Sequence, residues 1–243
     1  MTKTYQKNQP ETIQQMFGSI AKQYDRTNAI LSFNLHRYWN KKLVQSVINK
    51  NRSIQQYLDL CCGTGEIAYT FLKHTKHQTE AFLLDFCEEM LDCARSKADS
   101  VSASPHQLQY IQGDAQQIPL PSSSVDAVTV AYGIRNVKSP KACVEDVYRV
   151  LRPGGVFAIL ELTQPRSTIM QFGHRLYLRT VLPVVGKMTA ANKEAYEYLS
   201  TSIQAFIPPE TLENYLIEAG FEQTHRHPMT GGIATIVSGS KPL

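Results

Sequence analysis

No stretch of this chain approaches the ~18 to 20 consecutive apolar residues that span a bilayer, so no transmembrane segment is expected. The opening residues, Met1-Thr2-Lys3-Thr4-Tyr5-Gln6, lack the apolar region of a secretory signal. Cysteine is sparse: Cys61, Cys62, Cys87, Cys93 and Cys143 are odd in number and contain no C-x-x-C pair. They fit small buried residues or free thiols of a reducing compartment better than bridges or metal ligands. The seven histidines suggest no metal site, since His74 and His77 fall at a helix end and His225 and His227 on an expected edge strand. Internal repeats and low-complexity tracts are missing. Acidic residues are nearly absent from positions 1–52, where Glu11 and Asp25 face nine lysines and arginines. The expectation is a cytoplasmic protein with a basic N-terminal arm, fit to meet an anionic surface such as nucleic acid or phospholipid headgroups.

What is present is enough apolar material for a full core, 42% of 243 residues, which suits one α/β domain with additions. Residues 10–32 read as helix with one interruption, and 36–49 as a second helix with Trp39, Leu43 and Val47 on one face. From residue 53 strands and helices alternate. Strands are predicted near 56–61, 80–84, 107–112, 124–131 and 155–161, and helices near 65–74, 88–98 and 139–150. This alternation predicts a doubly wound, mostly parallel sheet with helices on both faces. After Pro165 the pattern turns helical to about 219, and two last strands near 221–229 and 232–239 close the sheet as a hairpin. The expected organisation is an arm or lid over 1–52 and a ligand-binding domain over 53–243 carrying a helical insertion at about 166–207.

The stretch that organises the chain is Tyr57-Leu58-Asp59-Leu60-Cys61-Cys62-Gly63-Thr64-Gly65-Glu66: a buried strand, a two-glycine turn, then a helix. Backbone without Cβ atoms approaches a nucleotide closely. Gly63 to Ala68 formally fits a dinucleotide fingerprint, with Asp85 standing 20 residues beyond Gly65. Asp59, inside the strand end, argues against that reading, because a pyrophosphate would meet its charge at close range. S-adenosylmethionine would not: it is cationic, lacks phosphate, and offers a ribose diol to Asp85. Open α/β sheets bind ligands beyond the carboxyl ends of their strands. Those ends here hold Asp59, Gly63, Thr64 and Gly65, then Asp85, then Asp114 and Ala115 for the adenine, then Ala131 to Asn136, and finally Glu161, which reads as a strand-end charge rather than a base.

The glycine stretch resembles the first motif of class I methyltransferases, and four blocks together resemble the quinone-biosynthesis C-methyltransferases, the demethylmenaquinone and ubiquinone methyltransferase family. They are Phe17-Gly18-Ser19-Ile20-Ala21-Lys22-Gln23-Tyr24-Asp25 with Ser32 to Trp39; the glycine stretch; Tyr132-Gly133-Ile134-Arg135-Asn136-Val137; and Ala195-Tyr196-Glu197-Tyr198-Leu199. Three positions depart from that family's pattern. Cys61 replaces a frequent glycine, Ala131 replaces a small hydroxyl residue, and Glu66 replaces an aspartate. The Phe206-Ile207-Pro208-Pro209 run also lacks the histidine often found before the proline.

The resemblance implies a Rossmann-like seven-stranded fold, S-adenosylmethionine as cofactor, no metal, and a prenylated naphthoquinol or benzoquinol as methyl acceptor. It implies that Tyr24 covers the methionine end of the cofactor and that Arg135 and Tyr132 belong to the catalytic set. Arginine keeps its charge, so its expected task is to stabilise a quinol oxyanion, directly or through a water. A prenyl tail held in lipid implies reversible contact with the inner membrane face. Two segments are expected to make it: the arm, with Trp39, Leu43 and Val47 among Lys41, Lys42 and Lys50, and Ile169 to Met188 with Arg175 and Arg179. Nucleic acid is not an expected partner, since the N-P-P-Y type motif of base-modifying methyltransferases is missing. The alternatives are a nicotinamide oxidoreductase, an RNA methyltransferase or an inactive cofactor-binding scaffold, and the oligomeric state is left open.

Overall fold

Five parallel strands follow the apolar runs: β1 (Gln56–Leu60), β2 (Glu80–Asp85), β3 (Gln107–Gln112), β4 (Val125–Ala131) and β5 (Leu151–Leu162). In this computed structural model the described residues are 10–51, 53–75, 77–98, 106–165 and 193–243, with 167, 168, 170–173, 176, 177 and 180. A C-terminal pair, β6 (Glu222–Met229) and β7 (Ala234–Ser240), completes a seven-stranded sheet of order β3-β2-β1-β4-β5-β7-β6. β7 runs antiparallel to both β5 and β6, so the expected closing hairpin is present. β5 begins four residues before its predicted start. Leu151 pairs with Val125, and the Pro153-Gly154-Gly155 turn is taken up as an irregularity opposite Val125 and Ala127.

Helices α4 (Glu66–His74), α5 (Glu88–Lys97) and α6 (Pro140–Val150) connect the parallel strands, as their periodicity predicts. α6 is started by local chemistry: the Ser139 hydroxyl accepts the Ala142 N–H at 3.2 Å and Pro140 occupies the first turn. Further on, α7 (Lys193–Ala205) and α8 (Pro209–Ala219) precede β6. The two-residue strand period sends Tyr57 and Asp59 to one face of β1 and Leu58 and Leu60 to the other. One apolar cluster joins Tyr57 and Phe71 to Trp39, Leu43 and Val47. The opposite face packs Leu58 and Leu60 against Val144, Val147 and Leu216.

The N-terminal arm forms α1 (Pro10–Ile20), a 3₁₀ turn at Ala21–Gln23, α2 (Tyr24–Leu31) and α3 (Leu35–Lys50). The single expected interruption is that 3₁₀ turn. The arm covers the carboxyl end of the sheet, with Gln14 Nε2 donating to the Phe86 carbonyl at 2.9 Å. Trp39, Leu43 and Val47 are 4%, 0% and 0% exposed, and Trp39 Nε1 donates to Thr230 Oγ1 at 2.9 Å. The expectation that this stripe meets lipid is therefore corrected: α3 uses it to bind the sheet. The second segment named for that contact lies largely outside the described residues, including Ile169, Arg175, Arg179 and Met188. Among the described residues no helix is long and apolar enough to cross a membrane.

Candidate active site

β1 and β4 are neighbours at the point where the strand order reverses, and the chain leaving β1 there turns sharply. Cys61, Gly63 and Gly65 all have positive φ (54°, 53° and 79°). A Cβ on Gly65 would stand 2.7 Å from the Tyr69 ring, so glycine is required there on both counts. Cys61 adopts a conformation that costs an L-residue about 1 kcal/mol, and its neighbour makes room for it. A Cβ on Gly133 would fall 2.3 Å from the Cys61 Cβ. The turn is tied by Cys62 N–H to the Leu84 carbonyl (3.0 Å), Gly65 N–H to the Cys62 carbonyl (2.9 Å), and Gly63 N–H to Asp85 Oδ2 (2.8 Å).

Asp59 lies beneath this turn, 1% exposed, accepting the Ala68 N–H and the Thr129 hydroxyl, each at 3.0 Å. Burial pushes its carboxyl up to about 7 despite those bonds. It stands outside the lining of both central cavities described below and instead anchors the first turn of α4. Asp85 closes β2 and accepts the Gly63 and Cys87 N–H groups at 2.8 and 2.9 Å. Burial raises it to about 6. Two bonds leave further lone pairs on this carboxylate for a ligand hydroxyl.

Two cavities open on this turn. One, of about 420 Å³, is walled by Phe17, Asp85, Met90, Asp114, Ala115 and Val137. Asp114 is exposed and caps its own turn, accepting the Gln116 N–H at 2.9 Å, while Ala115 is buried beside it. The other, of about 580 Å³, is predominantly apolar and runs between α2, α3 and the carboxyl ends of β1, β4 and β5. Tyr24, Cys61, Gly63, Ala131 and Tyr132 line both. A ligand in the first cavity therefore meets a ligand in the second at those five residues, within the size range of small-molecule sites. Of the ten residues singled out from the sequence, eight line one or both cavities. Asp59 and Gly65 do not; both shape the turn from behind.

The arm is clasped over this junction. Thr64 Oγ1 donates to Asp25 Oδ1 at 2.5 Å, and the Lys97 ammonium pairs with the same carboxylate. Tyr24, the next residue, is carried into the wall by that clasp; burial raises its phenol, against the lowering charge of Arg135. Tyr132 also has positive φ (57°), and its hydroxyl donates to Asn40 Oδ1 at 3.0 Å. Burial, then the charges of Glu66 and Glu161, push that phenol well up, so it stays protonated.

Arg135 is 5% exposed and pairs through Nη1 with Glu161 Oε1 at 2.5 Å. Glu161 is 1% exposed and also accepts the N–H groups of Arg135 and Leu162. The structure therefore gives this arginine an ion pair together with an unused donor. Arg135 Nε is buried without a hydrogen-bond partner, in a residue that lines the larger cavity. A buried orphan donor costs about 1 to 3 kcal/mol, so the site is primed for an acceptor. Not foreseen was the pair formed by His36 and Glu66, whose Nε2 and Oε1 are 3.4 Å apart in that cavity's wall. Its only sequence signal was His36 at the start of α3 and Glu66 directly after the glycine turn, 30 positions apart. Among the described residues no group of three His, Cys, Asp or Glu side chains is arranged to hold a metal.

Comparison with known proteins agrees with this arrangement. The chain matches the model of the ubiE/COQ5 methyltransferase family over residues 3–241. It is 51% identical over 240 residues to a demethylmenaquinone methyltransferase of Protochlamydia amoebophila, covering 99% of both chains. A demethylmenaquinone methyltransferase of Staphylococcus saprophyticus is 34% identical, over 97% of this chain and 98% of its own. A solved S-adenosylmethionine-dependent methyltransferase from Thermotoga maritima shares the fold at a TM-score of 0.62 and 15% identity, over 93% and 98% of the two chains. The glycine turn, the two meeting cavities and the full-length match together make this chain a member of the ubiE/COQ5 methyltransferase family, with S-adenosylmethionine as its cofactor.

Proposed function

We propose that the protein methylates a ring carbon of a prenylated naphthoquinol, converting demethylmenaquinol to menaquinol. The observation that carries this reading is the unpartnered Nε of buried Arg135, a residue that lines a large apolar cavity next to a nucleoside-sized one. The naming of relatives up to 51% identical as demethylmenaquinone methyltransferases supports the naphthoquinol over the benzoquinol.

Asp85 accepts the ribose hydroxyls, and Asp114 with the backbone at Ala115 meets the adenine. Gly63, Thr64 and Tyr24 surround the methionine end, with Asp59 and Gly65 fixing the turn's shape. S-adenosylmethionine, when bound there, supplies an electrophilic methyl group on a sulfonium. Arg135 donates to the quinol oxygen and holds the charge that develops as its proton leaves; such preorganised donors act strongly in a dry site. Glu161 fixes the guanidinium, and Tyr132, kept protonated and held by Asn40, shapes the junction between the two cavities. The arm, residues 10–50, serves as a lid latched by Asp25.

The prenyl tail leaves through the mouth of the larger cavity. There Phe33 and Leu35 line the cavity and are exposed, Phe33 at 71%; Ile30 and Tyr38 on the same segment, and Phe172 and Leu176 beside Tyr177 in the chain, are exposed as well, Phe172 at 72%. Phe33 and Tyr177 lie 6.3 Å apart between ring centroids, and the Tyr177 hydroxyl donates to the Leu31 carbonyl, joining the two segments. Arg37 and Lys41 are exposed beside this rim. An anionic bilayer fits an apolar mouth with basic flanks, each cation contributing about 1 kcal/mol.

Labelled methyl transfer to reduced demethylmenaquinone and to the matching benzoquinol, side by side, tests the substrate. Faster turnover on the naphthoquinol is expected, and a preference for the benzoquinol would reverse the reading. Co-sedimentation with anionic and neutral vesicles tests the rim. Wild type should bind anionic vesicles and be released by salt, Phe33→Ser with Phe172→Ser should weaken that binding, and binding indifferent to charge and salt would refute it.

A further inference from the structure

The reaction needs an acceptor for the quinol proton, and Arg135, a permanent cation, cannot be that acceptor. The wall of the larger cavity narrows the choice. Its three phenols, Tyr24, Tyr132 and Tyr177, and its two thiols, Cys61 and Cys62, are all pushed up by burial and hold their protons at neutral pH. Glu161 is taken up by Arg135 and two N–H donors. Two titratable groups remain in the lining, His36 and Glu66.

The hydrogen bonds around His36 decide which ring nitrogen carries its proton. Ser32 Oγ donates its single proton to the Asn28 carbonyl at 2.7 Å. With the Ser32 proton on that carbonyl, the 2.6 Å contact between Ser32 Oγ and His36 Nδ1 is made by a proton on Nδ1. The lone pair of the neutral ring is then on Nε2, which lies 3.4 Å from Glu66 Oε1 in the cavity wall. Serine holds one end of the imidazole and the carboxylate stands at the other, as in sites where a base is oriented by one partner and its cation stabilised by another.

We propose that His36 Nε2 is the proton acceptor for the quinol hydroxyl, with Ser32 and Glu66 as positioning residues; this rests on the quinol reading above. The O–H bond breaks, the proton forms an N–H bond on Nε2, and the electron pair stays on the quinol oxygen against Arg135. That pair moves into the ring as the ring carbon takes the methyl group and the sulfonium becomes a thioether. The methylated carbon then gives its hydrogen to water as a proton, the ring regains aromaticity, and the oxygen retakes the proton from His36. One proton is released per turnover, balancing the loss of the sulfonium charge.

The test uses the full chain with reduced demethylmenaquinone and S-adenosylmethionine, on wild type, His36→Gln, His36→Ala and Glu66→Gln. Both His36 variants should lose about 100-fold or more in kcat, with KM for the quinol and calorimetric affinity for S-adenosylmethionine within about threefold of wild type. Added imidazole should restore part of the rate to His36→Ala and none to His36→Gln, whose side chain fills the space. Glu66→Gln should lose less than either. Turnover by His36→Gln within threefold of wild type would overturn the proposal, as would failure of imidazole to help His36→Ala. If neither His36 variant binds S-adenosylmethionine, the residue is structural and the proposal falls. A larger loss in Glu66→Gln than in the His36 variants would make Glu66 the acceptor instead. Wild type inactive on both naphthoquinol and benzoquinol would overturn the substrate reading, whereas an active wild type beside an active His36→Gln overturns this inference alone.

Discussion

Asp85→Ala separates what a buried carboxylate does for the fold from what it does for the ligand. An acid held near 6 instead of 3.8 is destabilised as a carboxylate by about 3 kcal/mol at neutral pH. Removing it recovers that cost but strands the Gly63 and Cys87 N–H groups, now satisfied at 2.8 and 2.9 Å. Each stranded donor costs about 1 to 3 kcal/mol, so the two contributions nearly cancel. The unfolding midpoint of the ligand-free variant should lie within about 4 °C of wild type. Binding has no such compensation. The ribose loses a charge-assisted acceptor worth roughly 1.5 to 3 kcal/mol, and the affinity for S-adenosylmethionine should fall about 10- to 150-fold. Titration calorimetry paired with a thermal melt reads both quantities on the same sample. A well-folded variant that binds within threefold of wild type would refute the ribose assignment.

Two further expectations rest on the same geometry. Arg135→Lys keeps a charge for Glu161 but removes the orphan Nε and the planar fork, so turnover should fall about 100-fold or more while cofactor affinity changes less than threefold; equal losses in both would make Arg135 structural. Asp59 and Asp85, raised by burial to about 7 and about 6, bind protons in the folded chain that the unfolded chain has released above 3.8. Their contribution to stability is full below pH ~4 and is lost as pH rises through 6 and 7. Chemical denaturation should show wild type gaining on Asp85→Ala as pH falls from 7 to 4, and a difference independent of pH would contradict the buried-acid account.

The alternation of apolar runs, the two glycines after β1 and the acid ending β2 were enough to define the sheet, its turn and several residues that line the smaller cavity. Those features are local: strand and helix periods, and a positive φ that few residues adopt, act within a handful of positions. Tertiary packing determined what each apolar stripe meets. Trp39, Leu43 and Val47 mark one face of α3 in the sequence, but periodicity cannot name the partner, and docking on β5 turned that face inward and left Phe33, Leu35 and Tyr38 outside. Asp59 likewise looks from sequence like a ligand contact, yet the strand's alternation carries it under the turn toward Thr129, on a strand 70 positions away. The pairs Arg135–Glu161 and His36–Glu66 join residues 26 and 30 positions apart. Charges attract at a distance set by the folded chain, and no spacing rule in the sequence encodes such an encounter.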